Sequence, residues 1–152
     1  NDMVCLIHCP QKSKQFNQLY TIERLGNVVG GNIIRYLNVD LDTMKNAAIS
    51  MIKDNRPVWF GCDVGKHFDR ELGIMDMDIY DIESIYQSPV NIDKAGRLDY
   101  GGSQMTHAMV FTGVNLDDDG KPTRWRVENS WGDDFADKGF MLRTEIIKEL
   151  IV

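Results

Sequence analysis

Apolar and polar positions along the chain lay out a series of short elements. Residues 3–9 read Met-Val-Cys-Leu-Ile-His-Cys, an apolar and β-compatible run stopped by Pro10, which predicts a buried strand. Residues 11–18 are polar and predict a loop. Residues 19–25 predict a short strand ahead of Gly30-Gly31. Asp40-Leu41-Asp42-Thr43 then supplies helix N-cap chemistry. Leu41, Met44, Ala48, Ile49 and Ile52 recur near helical spacing, which predicts an amphipathic helix over 41–54. Asp54-Asn55 ends it, and Pro57 cannot continue it. Residues 58–64, Val-Trp-Phe-Gly-Cys-Asp-Val, carry the signal of a buried strand.

Residues 65–103 have no clear period. A stretch this long in one domain is either partly helical or a functional excursion. Short helices are expected near 66–72 and 92–97, and the acidic cluster Asp76, Asp78, Asp81 and Glu83 reads as a solvated surface. The last third is more regular. Residues 105–114 predict a strand, Asp117-Asp118-Asp119-Gly120 a turn, and 124–130 a second strand antiparallel to the first. Residues 139–143 predict a third strand, and Thr144 the cap of a short helix reaching about Leu150. Together these give an α+β class: a twisted, mainly antiparallel sheet with a helix packed on it. There is no internal repeat and no low-complexity segment.

A chain of 152 residues is one domain's worth, with 43% hydrophobic and 26% charged residues. The net charge of −6 disfavours nucleic acid, because phosphate contacts need clustered Lys and Arg. No apolar run approaches the roughly 20 residues that cross a bilayer. The start, Asn1-Asp2-Met3, has neither the basic nor the apolar part of a signal peptide, and its lack of an initial Met suggests an excerpt of something longer. Cys5, Cys9 and Cys62 are an odd set and too few for a disulfide framework, so a reducing compartment, the cytoplasm, is expected.

Candidate chemistry lies on the two strands of the predicted hairpin. Met105-Thr106-His107-Ala108-Met109-Val110 is on one. Trp125-Arg126-Val127-Glu128-Asn129-Ser130-Trp131-Gly132 is on the other, followed by Lys138-Gly139-Phe140. A long hairpin can bring His107 and Asn129 side by side. An imidazole needs a second group to fix its tautomer and plane, and an Asn carbonyl oxygen can supply it. The other ring nitrogen is then free to exchange a proton with a nucleophile. A thiol suits such a pair, which settles as thiolate and imidazolium. Trp131, two residues past Asn129, would share its strand face and could cover the His–Asn bond. The plainer reading is a satisfied core histidine and a strand end with a turn.

These stretches, with 37–42 and Val58-Trp59-Phe60-Gly61-Cys62-Asp63-Val64-Gly65, resemble the second half of papain-like cysteine peptidases, specifically the bleomycin hydrolase and bacterial aminopeptidase C branch. The resemblance covers nearly the whole chain. It implies a papain-like fold, with residues 1–152 forming the C-terminal, His- and Asn-bearing portion of a peptidase domain. It implies His107 as general base and acid, Asn129 as its orienter and Trp131 as shield. The reaction implied is hydrolysis of the peptide bond at a substrate's N-terminus, with no metal or organic cofactor. The implied partners are peptide substrates, the Cys-bearing N-terminal half and further copies in a hexamer, with no membrane and no nucleic acid. The family's nucleophile, in a Gln…Cys-Trp context, has no match here, and neither has its C-terminal tail. Cys62 lies within the matched strand and not at the nucleophile's position, and Gln104 matches no oxyanion motif. The alternative is an inactive fragment or a non-catalytic binding or assembly module.

Other motifs have bland readings. Cys5 and Cys9 would share one strand face and His8 the other, which suits core cysteines better than zinc. Asp117, Asp119 and Glu128 fit three positions of a calcium loop, but Pro122 stands where glycine is needed. Gly26, Gly30 and Gly31 lack the strand–helix setting of a phosphate loop.

Overall fold

The computed structural model describes residues 4–25, 28–76, 79–89, 92–134 and 136–144. Its main body is a six-stranded sheet in the order β4-β7-β8-β9-β6-β5. The strands are β4 (Val58–Cys62), β5 (Phe68–Asp69), β6 (Ile74–Met75), β7 (His107–Leu116), β8 (Pro122–Glu128) and β9 (Phe140–Thr144). All neighbours are antiparallel except β6 and β9, which are parallel. A second sheet, β1-β3-β2, is made of β1 (Cys5–Ile7), β2 (Gln18–Tyr20) and β3 (Tyr36–Asn38). The predicted α+β class is the observed one.

Helix α1 (Leu41–Lys53) forms where the apolar spacing places it. The Asp40 side chain accepts from the Thr43 N–H at 2.8 Å, satisfying one of the free donors of the first turn. Met44, Ala48 and Ile49 are buried, and the helix lies across β7 and β4. Beneath it Phe60 and Phe111 stack with ring centroids 3.7 Å apart, and Trp125 packs 4.8 Å from Phe111. Met109, Val127 and Met141 complete this core.

Strand β7 keeps its apolar side chains on one face through one extra residue. Its register to β8 is Phe111↔Val127 and then Gly113↔Arg126, so Thr112 is bulged out of the ladder. His107, Met109 and Phe111 alternate toward the core before the bulge; Val114 and Leu116 pack against it afterwards. Without the bulge the second half of the strand would show its apolar side chains to water.

Several expectations need correction. The strand expected over 3–9 spans Cys5–Ile7 within the described residues, and His8 leaves it to donate from Nδ1 to the Val39 carbonyl at 3.0 Å. Cys5 is exposed and Cys9 half-buried; of the three cysteines only Cys62 belongs to the core. Strand β3 was not anticipated. It is organised by Asn38, fully buried, whose carboxamide accepts from the Cys9 N–H and donates to the Cys9 carbonyl. A buried polar residue of this kind leaves no apolar pattern.

Residues 66–72 are not helical. The Asp69 side chain accepts from the Glu71 and Leu72 N–H groups, making a turn between β5 and β6. The helix expected near 92–97 is α3 (Lys94–Asp99), capped by Asp93. An unexpected helix, α2 (Ile82–Tyr86), is capped by Asp81, so this aspartate has a structural partner and is not merely solvated. Asp78 and the helix expected after Thr144 lie outside the described residues. Among those described, no helix is long and apolar enough to cross a membrane.

Candidate active site

His107 is the first residue of β7, and Asn129 follows the last residue of β8. Register places His107 diagonal to Asn129 on the core-facing side of the sheet. The His107 Nε2 and Asn129 Oδ1 atoms are 2.8 Å apart. Asn129 is buried and His107 half-buried.

The proton on this bond can be assigned. The Ser130 backbone N–H also reaches Asn129 Oδ1, at 2.8 Å. A backbone N–H can only donate, so the carboxamide atom it faces is the oxygen. That oxygen can only accept, so His107 Nε2 is the donor. In the neutral ring Nδ1 is therefore left with its lone pair, ready to take a proton. Among the described residues no hydrogen bond reaches Nδ1.

The turn after β8 holds Asn129 in place. Its N–H donates to the Gly139 carbonyl at 3.1 Å. Gly139 is buried at φ +83, and a Cβ there would lie 3.3 Å from the Gly132 carbonyl oxygen. Gly132 itself has φ +92. Both positions require glycine for their left-handed backbone, and at Gly139 for space as well. Strand β8 ends at Glu128, so strand alternation does not set the direction of Trp131, as had been expected. The turn nevertheless brings its ring to 5.0 Å from that of His107, tilted by 31°. Further neighbours of the indole include Phe68, 5.9 Å away edge-on, and the Arg70 guanidinium at 5.9 Å. The sheet thus curls enough for its edge strand β5 to reach the site. Trp131 remains 41% exposed, so the cover it gives is partial.

A network that sequence reading missed fixes the approach to His107. Thr106 Oγ1 accepts from the Val64 N–H at 3.1 Å, and the Thr106 N–H donates to the Cys62 carbonyl at 3.0 Å. Asp63, buried to 3% exposure, pairs with Lys66 at 3.0 Å and accepts from the Gln104 N–H. Lys66 also donates to the Gly102 carbonyl. These contacts tie 102–106 to 62–66. In the sequence, an aspartate set within an apolar run with a lysine three residues on, Asp63 and Lys66, is the signal that could have found them.

Cys62 is the direct cross-strand partner of His107, yet it is fully buried. No substrate can reach its sulfur in this arrangement. Cys5 lies on β1, and the Cys9 thiol donates to Gln11 Oε1 at 3.1 Å. None of the three is an accessible thiol beside His107. Among the described residues no group of three or more His, Cys, Asp or Glu could hold a metal ion. The aspartates once matched to a calcium loop form a turn, Asp117 Oδ1 accepting from the Asp119 and Lys121 N–H groups.

Comparison with known proteins decides the family. The model of the Peptidase C1-like family matches residues 1–150. The chain belongs to the Peptidase C1-like family. As a family member it is 48% identical over 145 residues to aminopeptidase C of Lactococcus lactis subsp. cremoris, covering 95% of this chain and 33% of that protein. It is 48% identical over 147 residues to human bleomycin hydrolase, covering 95% of this chain and 32% of that protein. The crystal structure of PepW from Lactobacillus rhamnosis HN001 superposes with a TM-score of 0.92 at 48% identity, over 96% of this chain and 33% of that one. The papain-like fold class stands with this membership. The chain spans about a third of the length of the relatives it matches.

Proposed function

We propose that this chain is the C-terminal, His- and Asn-bearing portion of a cysteine-type aminopeptidase of the bleomycin hydrolase kind. The observation that carries the reading is the Nε2–H donation from His107 to Asn129, which leaves Nδ1 as a base. Relatives named aminopeptidase C and bleomycin hydrolase support the substrate class, the N-terminal residue of a peptide.

In this reading the nucleophile is a thiol supplied from outside these residues. Its proton passes to His107 Nδ1, and the thiolate attacks the carbonyl carbon of the first peptide bond. The imidazolium returns the proton to the departing amine, leaving an acyl-enzyme. Water then attacks the thioester while His107 takes its proton, and the thiol leaves reprotonated. Asn129 holds the ring through both proton transfers. No metal or organic cofactor enters this sequence. The proposal includes a cytoplasmic setting, peptide substrates, the Cys-bearing half as partner and homo-oligomeric assembly.

The test is hydrolysis of an aminoacyl-aminomethylcoumarin by the complete enzyme in thiol reductant. His107→Ala should lower kcat by roughly a hundred- to ten-thousand-fold, the usual reach of general acid–base catalysis. Unchanged turnover in His107→Ala would overturn the assignment. The 152-residue chain alone should show no turnover.

A further inference from the structure

A hollow of about 410 Å³ opens on the sheet face opposite the one that carries His107 and Asn129. Its size falls within the range of small-ligand sites. On β8, Trp125 and Val127 turn inward, so Arg124 and Arg126 turn outward, and both are exposed. Across from Arg126 stands Gly113, and because it has no side chain the Arg126 stem lies over it; a Cβ there would come within 3.4 Å of the Arg126 Cβ.

The arginines are poised in a particular way. The Arg126 guanidinium lies 3.8 Å above the Phe140 ring. Stacking of this kind holds the fork flat and leaves its in-plane N–H donors free. Among the described residues neither Arg124 nor Arg126 forms an ion pair with a carboxylate. That is notable in a chain with 23 acidic and 17 basic residues. Leu72 and Leu142, both exposed, give the hollow an apolar side, and among the described residues Asp137 is the one carboxylate that lines it.

We propose that this hollow binds an α-carboxylate carried beside an apolar side chain, the chemistry shared by a free amino acid and the C-terminal residue of a peptide. The Arg126 fork takes the carboxylate in a bidentate pair, with Arg124 adding a second positive charge. Leu72 and Leu142 take the side chain. Asp137 offers a partner to the ammonium of a free amino acid, which a peptide's last residue lacks. The site is on this chain alone and does not rest on the peptidase reading.

The experiment is an NMR titration of the 152-residue chain, following the amides of Gly113 and Leu142. The probes are N-acetyl-L-leucine, N-acetyl-L-leucinamide and L-leucine. The acid should bind saturably, and the amide at least roughly tenfold more weakly, as expected for loss of a charge-assisted contact. Arg126→Gln, at an exposed position, should weaken the acid by a similar factor. Tighter binding of L-leucine than of the N-acetyl form identifies free amino acids as the ligand, and the reverse identifies peptide C-termini; either order supports the proposal. Equal binding of acid and amide, or no saturable shift with the acid, overturns it.

Discussion

The β7–β8 hairpin and the segment between β4 and β7 meet at His107, and they are built by different means. In the hairpin, alternation sorts the side chains: Met109, Phe111, Trp125 and Val127 go inward, Arg124, Arg126 and Glu128 outward. Burial of the inward set stabilises it, with the ladder hydrogen bonds satisfied along the way. The segment from 63 to 106 has little such burial; α2 buries no residue. It is shaped instead by aspartate side chains that accept backbone N–H groups, at Asp69, Asp81 and Asp93, and by the Asp63–Lys66 and Thr106 contacts. His107, at the junction, thus takes its direction from the sheet and its immediate setting from a polar loop.

The largest effect should come from the hairpin. Phe111→Ala removes a ring that is 1% exposed, stacked on Phe60 and packed at a tilt against Trp125, and it should cost about 3–5 kcal/mol in urea unfolding. A loss no greater than that of a loop substitution would break the contrast.

Acid should act through two histidines, His67 in the loop-built segment and His8 beside the small sheet. Burial pushes the His8 and His67 pKa values below the ordinary 6.5, with Lys94 adding to the effect at His8 and Arg97 and Lys66 at His67. The hydrogen bond to Val39 and then Asp40 at His8, and Asp63 and Asp76 at His67, oppose it in part. Each neutral ring is favoured in the folded state, so the unfolded chain binds protons more readily. Stability should therefore be intact above pH 6.5 and fall as pH drops below that value. The urea midpoint measured along a pH series checks this, and His8→Gln should flatten the decline. A midpoint that rises on acidification would contradict it.

Thr106→Val removes the acceptor of the Val64 N–H but leaves a site that water can reach, so the loss should be about 1 kcal/mol. Amide exchange at Val64 should quicken while that of Phe111 does not. Asp81→Ala should cost least, about 0.5 kcal/mol, because the helix it caps covers no core. Loss comparable to Phe111→Ala would show that the segment is more than a surface excursion.

The same contrast explains what could be read from the sequence. Strands β7 and β8 and helix α1 were legible because one face of each is apolar at the proper period, whereas β9 shows only the apolar run Phe140-Met141-Leu142. The bulge at Thr112 was not identified, although the step from Phe111 to Val114 breaks the alternation and marks it. The pairing of His107 with Asn129 came from the chemistry of their motifs, and the geometry brings the two together. The loop contacts were hidden, because a side chain bonded to a backbone group imposes no period. Asn38 was hidden for a related reason: it is polar and yet sits at the centre of a small sheet.

The account turns on which nitrogen of His107 carries the proton. Nitrogen-15 NMR of the imidazole, at a pH high enough to keep histidines neutral, reads this directly. The structure predicts the Nε2–H tautomer in the intact chain and a mixture of tautomers in Asn129→Ala. A dominant Nδ1–H tautomer, or a ring indifferent to Asn129→Ala, would contradict it.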